Sequence, residues 1–194
     1  MHKRIFRTIK HIIKELGERS PSSSIYIIYK LFLFMNLSSI KYYSTQNGPG
    51  FRTAIFVSGC RIHCEGCFNK VAWDFKCGKE LTDEIIEKIL YSCRENYISG
   101  ISILGGEPLD SLNQSGVRKI IEAFRNRYGE SKTIWMWTGY EKDSIPITEH
   151  TNYILKELDA AVVGPFIKDL HDPELRYAGS TNQKIIKFKE LLNS

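Results

Sequence analysis

Short apolar runs alternate with segments of helical periodicity along most of the chain. Continuous apolar runs are typical of strands buried in a parallel sheet, whereas apolar residues at every third or fourth position are typical of amphipathic helices. The pattern predicts strands at residues 52–58, 101–104, 133–138 and 159–163. It predicts helices from a cap at Thr82 to about residue 95, at 117–127 and at 153–157.

The order of these elements indicates an α/β fold. When strand and helix alternate, right-handed crossovers place the strands side by side and parallel, with the helices packed outside the sheet. A full barrel of eight strands takes about 250 residues. This chain has 194 residues, so we expect an open, partial (β/α) barrel.

The first 34 residues differ from the rest of the chain in charge. They hold seven of the 27 basic residues and two of the 22 acidic residues, an excess that equals the net charge of +5 of the whole chain. The remaining residues hold 20 of each sign. The body of the protein is therefore neutral, and its composition gives no indication of a nucleic-acid partner.

Residues 1–34 also have their own hydrophobic pattern. The apolar positions between Ile5 and Leu16 predict a basic amphipathic helix. The apolar run at residues 25–37 contains a lysine and is shorter than the ~20 residues that cross a bilayer, so we expect no membrane span.

Three interpretations of this segment are open. It is a helix that binds a membrane surface or a partner, an organellar targeting peptide, or an extension upstream of a functional start at Met35. We favour the last, because nothing in the segment connects to the chemistry described below. Residues 35–194 would then form the functional domain, with 1–34 as a basic appendage outside the fold.

Three of the five cysteines, Cys60, Cys64 and Cys67, lie in one loop directly after the first predicted strand. A loop this short can direct three thiols at one centre, and cysteine thiolates are the ligands of iron–sulfur clusters. A cubane cluster takes four ligands, so three cysteines would leave one iron open. In α/β folds ligands bind at the carboxyl ends of strands, which is where this loop begins.

A structural zinc site completed by His63 or another residue is the main alternative for this loop. Zinc sites usually show two ligand pairs, whereas this chain has one, Cys64 and Cys67. Disulfides are disfavoured because five cysteines is an odd number and no secretory signal is evident, so we expect a reducing, cytoplasmic location. We expect Cys77 to be an ordinary loop cysteine, with a fourth ligand as the alternative, and Cys93 to be a buried thiol on a helix.

The second predicted strand runs into the sequence Gly105-Gly-Glu-Pro108. Glycines at a strand end let the backbone approach a ligand closely. Such a loop about forty residues after a Cys-x3-Cys-x2-Cys loop resembles the radical S-adenosylmethionine (SAM) superfamily. The resemblance implies that the open iron binds SAM and that the glycine-rich loop binds the amino end of its methionine.

A more specific resemblance covers residues 40–184. The motifs are Asn47-Gly-Pro-Gly50, Phe56-Val-Ser-Gly-Cys60, Cys64-Glu-Gly-Cys-Phe-Asn69, Trp73, Gly105-Gly-Glu-Pro-Leu109, Trp135-Met-Trp-Thr-Gly-Tyr140 and Gly179-Ser-Thr-Asn-Gln183. In order and spacing they resemble the family of anaerobic ribonucleoside-triphosphate reductase activating proteins. The resemblance implies an open barrel of the radical SAM type and an activase that cleaves SAM reductively to a 5′-deoxyadenosyl radical. That radical would generate a glycyl radical on the large subunit of the reductase.

The resemblance also implies roles for individual residues. The cofactors would be a [4Fe-4S] cluster and SAM, and the cluster ligands would be Cys60, Cys64 and Cys67. The SAM contacts would come from the end of the cysteine loop and from the glycines after the second strand, namely Gly66, Cys67, Phe68, Gly105 and Gly106.

The chain departs from many relatives at Val163, where they carry an Asp, so the polar contact that an Asp provides is not available from this side chain. Arg52 and Asn182 are candidates for contact with SAM or the partner, with plain surface positions as the alternative. Three tryptophans fit core packing and partner contact equally well, namely Trp73, Trp135 and Trp137.

The implied chemistry needs no acid–base pair, because the cofactor breaks the bond and the protein orients and shields it. Glu107 and Asp110 are therefore not assigned such roles. A second cluster, which could deliver electrons within the protein, would need four more cysteines and bring the total to seven. This chain has five, so electrons would come from an external donor such as flavodoxin. The alternatives are another small radical SAM enzyme, either a pyruvate formate-lyase-type activase or a metabolite-modifying enzyme, and a non-catalytic iron–sulfur or zinc module.

Overall fold

A computed structural model of the protein describes residues 35–189. The strands are β1 Asn36–Ser44, β2 Phe51–Val57, β3 Lys79–Glu80, β4 Ile98–Gly105, β5 Thr133–Thr138, β6 Ala160–Val163 and β7 Lys184–Ile186. The α-helices are α1 Asp83–Ser92, α2 Gln114–Tyr128 and α3 Glu149–Glu157, and 3-10 helices lie at Lys70–Trp73, Lys142–Ser144 and Lys168–Leu170. The predictions for residues 1–34, the amphipathic helix among them, lie outside the described residues.

The strands form one mixed, seven-stranded sheet in the order β3-β1-β2-β4-β5-β6-β7. The four central strands β2, β4, β5 and β6 are parallel, and an α-helix lies in each connection between them. β1 runs antiparallel to β2, β3 to β1, and β7 to β6. The predicted α/β fold and its parallel centre are confirmed, and the sheet as a whole is mixed.

The three α-helices cover one face of this sheet. On that face Ile55, Ile103 and Met136 from the strands pack with Ile89 and Phe124 from the helices, and all five are fully buried. Burial of a side chain of this size contributes about 1.5–3 kcal/mol. This layer is therefore the main hydrophobic core.

The opposite face of the sheet, called the inner face below, has a smaller apolar cluster. Ala54, Phe56 and Leu104 are buried there and Trp137 packs against them. The ring of Trp135 lies 5.9 Å from that of Trp137, measured between ring centroids. Both tryptophans are only half-buried, so the inner face combines aromatic surface with partial access to solvent.

The sequence predicted the four central strands within a few residues of their observed bounds, and it missed the three antiparallel strands. β1 has mostly exposed or half-exposed residues, and β3 and β7 have two and three residues, so none has a strong apolar signal. The last helix begins at Glu149, four residues before its predicted start, because Thr148 and Thr151 form a capping box. The first helix ends at Ser92 rather than near residue 95.

Arg52 is completely buried at the amino end of the inner face. Its Nε donates a hydrogen bond to Ser102 Oγ at 2.7 Å. Its terminal nitrogens donate to the carbonyl oxygens of Pro49 (3.3 Å), Ile101 (2.6 Å) and Thr133 (2.9 Å) and to the Thr133 hydroxyl (2.8 Å). The surface position considered for Arg52 is therefore wrong.

The turn at residues 47–50 lies beneath this arginine. Gly48 and Gly50 adopt φ values of +106° and +74°, which glycine tolerates and other residues rarely adopt. The Pro49 carbonyl of this turn accepts a hydrogen bond from Arg52. The Asn47 carbonyl accepts one from Ser102 Oγ, at 2.5 Å. Among residues 35–189 the guanidinium has only uncharged hydrogen-bond acceptors, and burial lowers the pKa of Arg52 to about 10.

We expect the substitution Arg52→Met to lower the free energy of unfolding by about 2–4 kcal/mol, because it leaves buried carbonyl and hydroxyl groups without a donor. Urea denaturation of the metal-free protein measures this. Arg94, whose side chain is 48% exposed, provides the matched control, and Arg94→Met should change stability by less than about 0.5 kcal/mol. Equal losses in the two variants would contradict the buried role of Arg52.

Candidate functional site

The cysteine loop lies across the carboxyl ends of the four parallel strands. It leaves the end of β2, and the backbone N–H of Glu107, which follows β4, donates to the Gly59 carbonyl at 2.8 Å. The side chain of Ile62 packs against Gly139, which follows β5. The backbone N–H of Phe166, which follows β6, is near enough to the Cys64 thiol to oppose the rise of its pKa on burial. The expected position of the loop at the strand ends is confirmed.

The three candidate ligands Cys60, Cys64 and Cys67 are half-buried, free thiols. Burial raises the pKa of the Cys60 thiol, and the backbone N–H groups of His63 and Ile62 partly offset this. Burial likewise raises the pKa of the Cys64 thiol, and the Phe166 N–H partly offsets it. Metal ligation needs thiolates, so binding at these cysteines would release protons.

The thiols share one loop but do not yet form a ligand set. In residues 35–189 no three His, Cys, Asp or Glu side chains are gathered closely enough to hold a metal ion. Cys60 with Cys64, and Cys64 with Cys67, are close enough for one ionised thiol to raise the pKa of its neighbour. A cluster would therefore have to draw the three sulfurs together, and their assignment as ligands stays a prediction.

His63 and the two remaining cysteines have surroundings of their own. The imidazole of His63 stacks on Trp73 with the ring centroids 4.3 Å apart. Cys93 is fully buried at the end of α1 beside Thr53, as predicted. Cys77 is half-buried in a loop, and its carbonyl accepts a hydrogen bond from Ser58 Oγ at 2.7 Å. The stacking of His63 favours the cluster over the zinc alternative.

The need for glycine at the end of β4, at positions 105 and 106, is explained by the close approach of neighbouring backbone. Gly105 has φ of +111°, and a Cβ there would lie 2.8 Å from atoms of Phe56 and Val57. A Cβ at Gly106 would overlap the Gly59 carbonyl oxygen, at the start of the cysteine loop. The structure thus requires both glycines for the junction of β2 and β4, while their contact with SAM stays a prediction.

Glu107 joins the ends of β4 and β5 through its buried carboxyl group. Oε1 accepts hydrogen bonds from the Leu109 N–H at 2.9 Å and from Thr138 Oγ1 at 2.7 Å, and Oε2 accepts one from the Gly139 N–H at 2.8 Å. The side chain is 1% exposed. Burial raises the pKa of Glu107 to about 7, and the three donors only partly offset this.

Two further contacts brace the cysteine loop, and sequence reasoning missed both. Asn113 Nδ2 donates to the carbonyl oxygens of Ser58 (3.0 Å), Gly59 (3.2 Å) and Glu107 (2.8 Å). Arg61, inside the loop, forms an ion pair with the buried carboxylate of Asp110, with Nη1 2.5 Å from Oδ1. The sequence did offer a signal for the ion pair, because Arg61 directly follows the motif that ends at Cys60 and Asp110 directly follows the motif that ends at Leu109.

The remaining candidates lie around the rim of the site or away from it. Phe68 is 91% exposed, and Gly66 lies beside the aliphatic part of Lys168. Asn182 donates from Nδ2 to the Pro165 carbonyl, whereas its Oδ1 is buried and has no hydrogen-bond partner among residues 35–189. Val163 belongs to the helix-covered core and not to the inner face, so it presents nothing polar to the site.

Comparison with known proteins gives consistent results. A family described as a 4Fe-4S single cluster domain matches residues 46–186. The chain is similar to the anaerobic ribonucleoside-triphosphate reductase-activating protein of Vibrio cholerae, at 35% identity over 73% of this chain and 91% of the relative. The protein of that name from Haemophilus influenzae is 34% identical over 79% of this chain and 99% of the relative. The one from Enterobacteria phage T4 is 33% identical over 78% of this chain and 93% of the relative.

The raised pKa of Glu107 predicts a pH dependence of stability. An acid whose pKa is higher in the folded state binds its proton more tightly there, so its contribution is complete below the unfolded pKa of about 4.5 and is lost as pH rises through about 7. The free energy of unfolding of the metal-free protein should therefore fall between pH 5 and pH 8, by an amount on the order of 2–3 kcal/mol.

Anaerobic urea denaturation at a series of pH values measures this dependence. Glu107→Gln removes the titrating group and should flatten the profile, whatever its effect on stability at a single pH. Glu65→Gln changes an exposed carboxylate in the cysteine loop and should keep the wild-type slope. A slope that survives in Glu107→Gln would assign the pH dependence to another group.

Proposed function

Because this chain belongs to the family of anaerobic ribonucleoside-triphosphate reductase-activating proteins, we propose that it is a radical SAM activase that generates the glycyl radical on that reductase. The observation that carries the proposal is the position of the cysteine loop. Three thiols in one loop lie across the ends of four parallel strands, beside a glycine-containing turn and an inner face lined with aromatic side chains.

The residues present suit a [4Fe-4S] cluster. Cys60, Cys64 and Cys67 supply three thiols, and nearby backbone N–H groups partly offset the rise in the pKa of Cys60 and of Cys64 on burial. Such donors stabilise thiolates in a half-buried site. When bound and reduced by an external donor, the cluster would supply an open iron to hold SAM and the electron for its cleavage to methionine and a 5′-deoxyadenosyl radical, the species that would take a hydrogen atom from a glycine of the reductase.

We assign the SAM contacts to two places in the chain. Phe68 follows the last cysteine with its ring exposed, so the ring is available to pack on a ligand. The N–H of Gly106 is used by the Val57 carbonyl, at 2.7 Å. An ammonium group is a donor, so the contact of Gly106 with the ammonium group of SAM would be made by the Gly106 carbonyl oxygen. Gly66, Cys67 and Gly105 complete this set. Oδ1 of Asn182, which has no hydrogen-bond partner in the described part of the chain, is a further acceptor at the strand ends.

We propose that the sheet is the partial barrel of the radical SAM type. In support, the α-helices within residues 35–189 all lie on one face of the four parallel strands, and the other face presents half-buried tryptophans below the cysteine loop. Sites in β/α barrels lie at the carboxyl ends of the strands. The role of this chain is to hold SAM there and to limit the access of water.

The reductase itself is proposed to cover the site. Phe68 and Val71 on one side, and Ile167 and Leu170 on the other, are apolar residues with 40–91% of their surface exposed. Apolar side chains grouped around a site mark a surface that binds another protein. With three of five cysteines assigned to one cluster, the electron donor is external, such as flavodoxin, and the proposed location is the cytoplasm. No helix within residues 35–189 is long and apolar enough to cross a membrane.

Mixing the reconstituted, reduced protein with SAM and the cognate anaerobic reductase should produce the doublet electron-paramagnetic-resonance signal of a glycyl radical, and the mixture should then reduce ribonucleotides. Serine at Cys60, Cys64 or Cys67 should abolish the cluster and the signal, because each change removes a ligand. Serine at Cys77 or Cys93 provides the matched control and should retain both.

Two other outcomes identify the alternatives. Cleavage of SAM with no glycyl radical on the reductase, together with turnover of a small molecule, would assign the protein to the metabolite-modifying enzymes. A cluster that never supports SAM cleavage would indicate a non-catalytic iron–sulfur module. Loss of the cluster on changing Cys77 would disprove the assignment of three ligands.

The proposed domain boundary predicts that a protein starting at Met35 keeps its cluster content and its rate of SAM cleavage. Met35 and Leu37 are buried in the main core, so the truncated protein should begin with residues that are already packed. Differential scanning calorimetry of the full and truncated chains provides the test. A loss of more than about 3 °C in thermal midpoint, roughly 1 kcal/mol for a domain of this size, would show that residues 1–34 stabilise the fold.

A further inference from the structure

We propose that Arg61 is a positioning residue that fixes the Cys60 end of the cysteine loop through an ion pair with Asp110. Cys60 is then the stationary ligand, and the segment at residues 64–67 closes toward it when a cluster binds. This inference rests on the proposed function only in requiring that a cluster binds at the three cysteines. It assigns a role to two charged groups that the activase chemistry does not use.

The ion pair joins an exposed cation to a buried carboxylate. Arg61 Nη1 lies 2.5 Å from Oδ1 and 2.6 Å from Oδ2 of Asp110. The Arg61 side chain is 56% exposed, whereas that of Asp110 is 1% exposed. An ion pair between two exposed groups contributes little, but a buried carboxylate that loses its cation is left without charge compensation. The pair therefore holds Arg61, and with it the start of the cysteine loop, in place.

Asp110 cannot follow the loop, because the turn before α2 fixes it. Its Oδ1 accepts a hydrogen bond from the Leu112 N–H at 3.0 Å, and its own N–H donates to the Glu107 carbonyl at 3.1 Å. Its carbonyl accepts from the N–H groups of Asn113, at 2.8 Å, and Gln114, at 3.0 Å. The carboxylate is thus a fixed anchor, and the part that the ion pair immobilises is the cysteine loop.

Phe75 contacts the residues on both sides of Cys60. The guanidinium carbon of Arg61 lies 4.8 Å from the centroid of the Phe75 ring, a cation–π contact. On the other side of Cys60, a Cβ at Gly59 would overlap the same ring. The Cys60 N–H itself donates to the Trp73 carbonyl at 3.2 Å. The backbone that carries the first thiol is therefore held from both directions.

The segment at residues 64–67 is tied less firmly. The one backbone-to-backbone hydrogen bond that it makes among residues 35–189 joins the Cys67 N–H to the Cys64 carbonyl at 3.2 Å, inside the segment itself. The ion pair between Glu65 and Lys168, at 3.4 Å, is exposed on both sides. In the described part of the chain the three thiols are not gathered closely enough to hold a metal ion. The movement that gathers them then falls to the segment with Cys64 and Cys67.

A fixed Cys60 makes the loop a better host for a cluster. A loop with one end set in advance loses less conformational freedom when it closes on a ligand, which is the advantage of preorganisation. Without the ion pair the Cys60 end would also have to be ordered on binding, and ordering one more residue lowers affinity by roughly tenfold. Loss of the ion pair should therefore weaken the hold on the cluster without preventing its assembly, since all three thiols remain.

The experiment compares Arg61→Met, which removes the charge and keeps an unbranched side chain, with wild-type protein carrying its cluster. A strong iron chelator should remove the cluster about tenfold faster from the variant, followed anaerobically by the absorbance of the cluster. In the metal-free proteins, exchange of the Cys60 amide hydrogen should become about tenfold faster, and should change more than exchange in β4. A purely structural role would instead speed exchange equally throughout the sheet.

Two further comparisons isolate the ion pair. Asp110→Asn keeps an oxygen that can accept from the Leu112 N–H, and it should reproduce both effects because it removes the charge that holds Arg61. Adding Arg61→Met to Asp110→Asn should change little more, since the two residues act as one unit. Lys168→Met is the matched control. It removes an exposed ion pair on the other half of the same loop, and it should match the wild type in cluster release and in Cys60 exchange.

Equal cluster release and equal Cys60 exchange in folded Arg61→Met and wild-type protein would overturn the inference while the activase proposal stands. Asp110→Asn gives the same decision if Arg61→Met does not fold. Additive effects of the two substitutions, or an equal effect of Lys168→Met, would overturn it as well. Failure of the wild-type protein to bind a cluster would instead reject the proposed function, together with this inference.

Discussion

The close backbone contact between the ends of β2 and β4 is the constraint on which the site depends. The Gly106 N–H donates to the Val57 carbonyl at 2.7 Å and the Glu107 N–H to the Gly59 carbonyl at 2.8 Å, so the cysteine loop starts from a fixed point. Any side chain at Gly106 would occupy the position of the Gly59 carbonyl oxygen. The packing of the two strand ends therefore already requires glycine at position 106, whether or not a cofactor is bound.

A second set of contacts spreads outward from this junction. The carboxyl group of Glu107 accepts hydrogen bonds from Thr138, the last residue of β5, and from Gly139, which follows it. The amide of Asn113 donates to the carbonyl oxygens of Gly59 and Glu107, on the two sides of the junction. These groups are buried and make several hydrogen bonds each, so removing one leaves its partners unsatisfied. The rigid part of the site thus consists of polar groups buried among strand ends. Binding of a cluster would require the cysteine loop above it to draw its three thiols together.

The sequence was informative wherever a local pattern matched a local structure. The central strands, the helices and the loop at residues 60–67 could be predicted, because buried strands are continuously apolar and helices have a regular period. Arg52 could not be placed, because an arginine at the start of a strand is ordinarily exposed and its acceptors come from residues up to 81 positions away. The links from Asn113 to Gly59 and from Gln183 to Gly164 were missed for the same reason, since both join distant parts of the chain.

The buried arginine has a consequence for the order of events in a catalytic cycle. Within residues 35–189, Arg52, the turn beneath it and the ring of Trp135 above it fill the amino end of the inner face, so under the proposed function small molecules would enter and leave at the opposite end. A protein docked over that end would block the same opening. Reactants must then be loaded before docking, and spent products leave only after undocking, so each encounter between the two proteins would support a single event.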